Sequence, residues 1–247
     1  MKNQLIIFFT LLAVTLSAQT YVDIPWREGS VIIKGEKVDG MIRLGGDLNA
    51  PWLNHSKVYF VSADDWGDGS KRPKKKMIKE YKPGDLDEYQ TYTMSKMGDK
   101  INMTFKSYEI MIMGSFKKKK GKAFLKLETE GDVNVYSYVP KPSKKIITTA
   151  DERYKDGQNA ISRSTLYLEG KDTKLTKAAD CDLVSMLKDC KKVVENINNE
   201  VYGFKPKSKR KKKKGLGKLM AASAGDNNFE MQVYRAVLDY NQCVQEK

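Results

Sequence analysis

The chain reads as an α+β protein, an antiparallel β-rich body followed by two C-terminal amphipathic helices. Three observations carry that expectation. Up to about residue 172, short stretches rich in Val, Ile, Tyr, Thr and Phe alternate with Gly, Pro, Asp and Lys clusters. After Thr173 the apolar period lengthens from two to about three and a half. The two helical stretches are separated by a lysine-dense segment far longer than the usual helix connection.

In chain order, residues 1–18 come first: Lys2, an apolar run from Leu5 to Leu16, then the small residues Ser17 and Ala18. This is the pattern of a secretory signal peptide. The run is about a dozen residues, short of the roughly 20 that a spanning helix needs. Cleavage rather than anchoring is therefore expected, with a mature chain starting at Gln19 or Thr20, exported to the periplasm, the outer membrane or the exterior.

Residues 19–172 form the expected β body. Strands are predicted at Ser30–Lys34, Lys37–Leu44, Lys57–Ser62, Met77–Tyr81, Tyr89–Ser95, Ile101–Phe105, Tyr108–Phe116, Lys122–Glu130, Val133–Val139 and Arg163–Glu169. Gly35-Glu36 and Gly131-Asp132 have the glycine-first composition of two-residue hairpin turns. In residues 173–247, Leu183, Leu187, Cys190, Val194, Ile197 and Val201 fall on one helical stripe, with Asp180 or Asp182 as its N-cap. Phe229, Val233, Ala236, Tyr240 and Cys243 repeat the pattern. The loop between them, residues 202–227, holds Lys205, Lys207, Lys209, Arg210, Lys211, Lys212, Lys213, Lys214 and Lys218. Like charges so dense favour an extended segment.

Several short motifs are similar to a family of exported envelope proteins of the Bacteroidetes type. They are the Leu16-Ser17-Ala18-Gln19-Thr20 signal end, Gly29, Gly35 and Gly40 in an early hairpin, and Tyr81-Lys82-Pro83-Gly84-Asp85-Leu86 leading into Tyr89. The Thr165 to Leu168 strand and the Cys181-Asp182-Leu183 helix start complete the set. The lysine-rich loop departs from the pattern and reads as an insertion. The resemblance implies an envelope location and no assigned activity.

The formal charge of +14 favours acidic partners. For an exported chain these are anionic lipid, lipopolysaccharide or acidic glycan, and nucleic acid is not expected. No later apolar run is long enough to span a membrane as a helix, and no residue pattern calls for a cofactor.

Three cysteines allow one disulfide. Cys181 and Cys190, nine residues apart on one helix, would be separated by about 13.5 Å of rise, beyond the roughly 4.4–6.8 Å that a disulfide bridges. An antiparallel helix pair brings the start of the first helix to the end of the second, so Cys181–Cys243 is the expected bond, with three unpaired thiols as the alternative.

His55, the only histidine, reads as part of a polar turn after Pro51, not as a catalytic base. Asp64-Asp65-Trp66-Gly67-Asp68-Gly69 places Trp66 and Lys75 where a calcium loop needs oxygen ligands, so no metal is expected there. Gly215-Leu216-Gly217-Lys218-Leu219 lacks the hydroxyl of a phosphate loop. Asp85, Asp87 and Glu88 form a carboxylate group of the kind glycoside hydrolysis uses. The leading expectation is a non-enzymatic envelope protein that meets an anionic surface through Lys205–Lys218. The rival is a hydrolase of envelope glycan or lipid using carboxylates on the β body.

Overall fold

The computed structural model describes residues 24–67, 73–95, 97–113, 118–142, 149–206 and 227–246. The predicted signal peptide, and residues 207–226 of the lysine-rich loop, lie outside them.

Ten strands form one antiparallel sheet: β1 (Arg27–Ile33), β2 (Glu36–Leu44), β3 (Val58–Ser62), β4 (Lys79–Tyr81), β5 (Glu88–Met94), β6 (Lys100–Met113), β7 (Lys118–Thr129), β8 (Val133–Tyr138), β9 (Thr165–Gly170) and β10 (Thr176–Lys177). The spatial order is β10-β9-β8-β7-β6-β5-β1-β2-β3-β4. Strands β1 to β4 grow outward from the centre, then the chain returns to lay β5 on the free side of β1 and meanders to the opposite edge. Both edges are very short strands, which limits sheet-to-sheet association. The helices are α1 (Ala63–Trp66), α2 (Ala150–Ile161), α3 (Leu183–Met186), α4 (Lys191–Asn198) and α5 (Asn227–Gln245).

Local chemistry sets the details. The β1–β2 turn is Lys34-Gly35, both at positive φ (52° and 82°), so the glycine is second and the expected turn shifts by one residue. Gly131 keeps no positive φ; it is bare because a Cβ there would sit 2.5 Å from Cγ of Asn241. The two strands expected at 101–105 and 108–116 are one, β6. Lys106 and Ser107, which read as a break, remain paired with Leu125 and Phe124 across β7. Helix α2 opens with a reciprocal box in which Thr149 Oγ1 accepts from Glu152 N–H and Glu152 accepts from Thr149 N–H.

The expected first helix is two pieces. The chain leaves helical geometry after Met186 and re-enters at Lys191, with Cys190 as the N-cap of α4. Leu183, Leu187, Cys190 and Ile197 nevertheless stay buried, because the turn keeps them on the same side. Val201 leaves the stripe and is exposed.

Pairing register assigns the two sheet faces. One carries Phe60, Ile42, Val31, Tyr89, Phe105 and Phe124, and beyond them Val135 and Leu168. The 3-10 turn Pro51–His55 and the C-terminal helices cover it. Tyr89 stacks on Phe105 with ring centroids 4.6 Å apart and donates its hydroxyl to Asn54 O at 2.8 Å, fixing the turn to the sheet. Helix α2 lies against the loop before that turn: a Cβ on Gly157 would approach Leu48 O to 2.1 Å.

Helix α5 docks through polar groups as well as its apolar stripe. Buried Asn241 accepts from Val133 N–H at 3.0 Å and donates to Val133 O at 2.9 Å, while Glu230 accepts from Leu166 N–H at 3.0 Å. Asn241→Ala would strand two buried backbone groups at about 1–3 kcal/mol each. A loss of about 3 kcal/mol is expected in urea unfolding, and an unchanged midpoint would contradict this role for Asn241.

Candidate functional site

The C-terminal platform is the part of the fold that frames the lysine-rich segment. Val133, Val135, Leu166 and Leu168 of the sheet pack with Leu187, Val193, Ile197, Val233, Ala236 and Val237 into one buried cluster. Cys190 bonds to Cys243 there, Cα atoms 6.2 Å apart, and buried Cys181 stands outside that disulfide. This corrects the expected Cys181–Cys243 bond. The antiparallel geometry holds, but the helix lying beside the end of α5 begins at Cys190, not near Cys181, because the chain breaks after α3. Cys181 Sγ instead approaches Met186 Sδ at 3.6 Å.

Both ends of the lysine-rich segment are tied to this platform. Phe204 is buried and meets Phe229 edge to face at 5.6 Å between centroids, and the Tyr202 hydroxyl donates to Asp239 Oδ2 at 2.8 Å. Pro206 is also buried, whereas Lys205 is exposed. The described residues on either side of the segment thus meet at one patch. Lys207, Lys209, Arg210, Lys211, Lys212, Lys213, Lys214 and Lys218 lie outside the described residues.

The other basic clusters are on the surface in part. Lys74, Lys75 and Lys76 are exposed around a 3-10 turn, Lys120 pairs with Glu109 at 3.2 Å, and exposed Lys122 lies across Gly84.

The carboxylates singled out as hydrolytic candidates have structural partners. Asp85 accepts from Lys82 N–H at 2.8 Å, and Asp87 accepts from Gly35 N–H at 3.0 Å and so ties the β1–β2 turn to the β4–β5 connection. Glu88 accepts from Gln90 and pairs with Lys106 at 3.8 Å. In the acidic turn, Asp65 exchanges hydrogen bonds with Ser62 at the start of α1, and Trp66 packs on Trp26 with centroids 5.5 Å apart. Among the described residues no three His, Cys, Asp or Glu side chains converge as metal ligands.

His55 is a structural wedge. Val139 N–H donates to its Nε2 at 3.1 Å, which leaves the proton on Nδ1 to donate to Phe124 O at 2.5 Å. The β7–β8 register, Lys126 opposite Ser137, would next set Phe124 opposite Val139. The imidazole bridges that rung where the strands part. Burial lowers its pKa to about 4, so the ring is neutral at pH 7.

On the opposite sheet face, Tyr108 and Tyr136 both donate to Glu169 Oε2, at 2.8 and 3.1 Å. Burial raises both hydroxyls, Tyr136 to about 12, so they stay protonated and act as struts. The same face carries an open groove of about 670 Å3, floored by β2, β1, β5 and β6 and walled by α1. Its carboxylates, Glu28 and Asp39, are 76 % and 73 % exposed and lie 3.5 Å from Lys100 and Lys37.

The groove is not legible in the sequence because its residues sit on different strands and form no motif. The signal available was the set of polar residues on the outward parity of strands expected to be amphipathic. Among the described residues no helix is long and apolar enough to cross a membrane. Compared with family models, characterised proteins and solved structures, the chain gives no match.

Proposed function

We propose that this protein is an exported, non-enzymatic interaction module of the cell envelope that meets an anionic surface through Lys205–Lys218. The observation carrying the proposal is the common root of that segment: Phe204 before it and Phe229 after it are in ring contact, 5.6 Å apart. Nine cations with no acid among them are therefore tethered at one place on a folded platform. Near an anionic bilayer each contributes about 1 kcal/mol, so the set acts as one multivalent contact. The Cys190–Cys243 bond supports export, since such bonds persist in oxidising compartments. The surface recognised is a dense array of phosphate or carboxylate groups, as on anionic lipid, lipopolysaccharide or acidic glycan.

The test is co-sedimentation of the mature chain with phosphatidylglycerol vesicles and with phosphatidylcholine vesicles, beside a variant lacking residues 207–214. The intact chain is expected to partition onto the anionic vesicles only. Removing the seven cations of 207–214 should weaken that partition on the order of a hundredfold or more at low salt. Equal partition of intact and shortened chains would overturn the proposal.

A further inference from the structure

We infer that the groove running from α1 to β6 is a second, independent binding site, and that it takes a neutral, hydroxyl-rich ligand, a segment of uncharged glycan.

Its floor is a polar row set by strand register. Asp39 lies opposite Ser30, Ser30 opposite Gln90, and Gln90 opposite Thr104, so four side chains line up across β2, β1, β5 and β6 on one face. At about 4.8 Å per strand the row is roughly 14 Å long. It runs across the strands from the α1 side of the groove out to β6, a floor for an extended ligand.

Ser30 marks the row as built for a partner. It is only 2 % exposed, lines the groove, and its hydroxyl makes no hydrogen bond to any described residue. A buried hydroxyl without a partner is costly, and native folds satisfy nearly all of them. A ligand hydroxyl seated on the floor supplies what the fold does not.

Charge selects the class. The lining holds two acids and two lysines, Glu28 with Lys100 and Asp39 with Lys37, each pair at 3.5 Å. In a chain of formal charge +14, this groove is locally balanced. A polyanion gains nothing there that the lysine-rich segment does not offer better, and a cation meets two ammonium groups. An uncharged ligand can use the same groups as hydrogen-bond donors and acceptors.

The wall supplies the apolar half. Trp66 lines the groove and is backed by Trp26, whose ring in turn lies under the Arg43 guanidinium at 5.1 Å. A sugar ring has a C–H face and a hydroxyl edge. An indole wall beside a row of hydroxyl, amide and carboxylate groups matches both sides of it.

The test uses the mature chain and four neutral hexasaccharides, derived from cellulose, laminarin, starch and chitin, titrated to millimolar concentration with tryptophan emission and calorimetric heat as readouts. At least one is expected to bind and to change the emission. Trp66→Ala and Ser30→Val should each weaken that sugar roughly tenfold or more. Thr104→Val, at the half-exposed end of the row, should weaken it in the same direction and serves where either of the other variants loses near-ultraviolet circular dichroism. Removing 207–214 should leave the affinity unchanged, which separates this site from the anionic contact. Absence of binding by all four sugars would overturn the inference. So would binding that survives Trp66→Ala and Thr104→Val, or a preference for a hexagalacturonate over every neutral sugar.

Discussion

His55→Leu is expected to destabilise the fold by about 4 kcal/mol, although the side chain volumes are similar. The imidazole satisfies Phe124 O and Val139 N–H at a rung where β7 and β8 have separated, and it is 5 % exposed. Leucine leaves the buried Phe124 O and the partly buried Val139 N–H without partners, at about 1–3 kcal/mol each. Its edge contact with the Phe105 ring, centroids 6.0 Å apart, is lost too. Urea unfolding of the two proteins measures the difference, and a loss under about 1 kcal/mol would contradict the wedge.

The same residue makes stability depend on pH. Its pKa is lowered to about 4 in the fold, mainly by burial, against 6.5 in the unfolded chain. Between those values the unfolded chain binds a proton that the folded chain does not, so stability falls as pH falls from about 6.5 towards about 4. The loss is about 2 kcal/mol between pH 7 and pH 5 and about 3 kcal/mol in full. His55→Gln removes the titrating group while keeping an amide at the site. Its unfolding free energy should be nearly flat over pH 7 to 5, and a slope equal to that of the unsubstituted protein would sink the assignment.

Cys190→Ser is the second large effect, also about 4 kcal/mol. The bond to Cys243 closes a loop with a sequence separation of 53 residues. In the chain-entropy account a loop of that size restricts the unfolded state by about 4 kcal/mol. Because this loop contains the whole lysine-rich segment, the bond also clamps the platform at the end of α5 away from Phe204 and Phe229. The urea midpoint of Cys190→Ser should match that of the reduced protein. Cys181→Ser should unfold as the oxidised protein does, apart from the small cost of altering a buried side chain. If Cys181→Ser instead lost the full amount, the bond would be Cys181–Cys243.

The β body was legible in outline because alternation reports directly which strand face is buried. Nine of the ten strands have counterparts in the predicted set, with two expected strands merged into β6. Strand β10 was not, since Thr176 and Lys177 carry no apolar period. Helix α2 was missed for a similar reason: ADERYKDGQNAI has no continuous apolar stripe, and only the Thr149-x-x-Glu152 capping box announced it. Helix α5 was legible from its stripe. The break between α3 and α4 was not, because Leu183, Leu187 and Cys190 keep helical spacing and burial across it. That one break moved the disulfide partner.

The candidate sites divide the same way. A run of lysines is a local property and stands out in the sequence at once. The groove floor is a non-local property: Asp39, Ser30, Gln90 and Thr104 become neighbours only through register across four strands. The same holds for Asn241, a polar residue within an apolar stripe whose purpose is the backbone of Val133.

The central claim, contact by charge, is tested most directly by the affinity of the intact chain for phosphatidylglycerol vesicles across a salt series. The screening length falls from about 30 Å at 0.01 M to about 8 Å at 0.15 M. Binding should weaken steeply and continuously over that range, while phosphatidylcholine vesicles bind negligibly throughout. An affinity that is unchanged by salt, or equal for the two lipids, would contradict it.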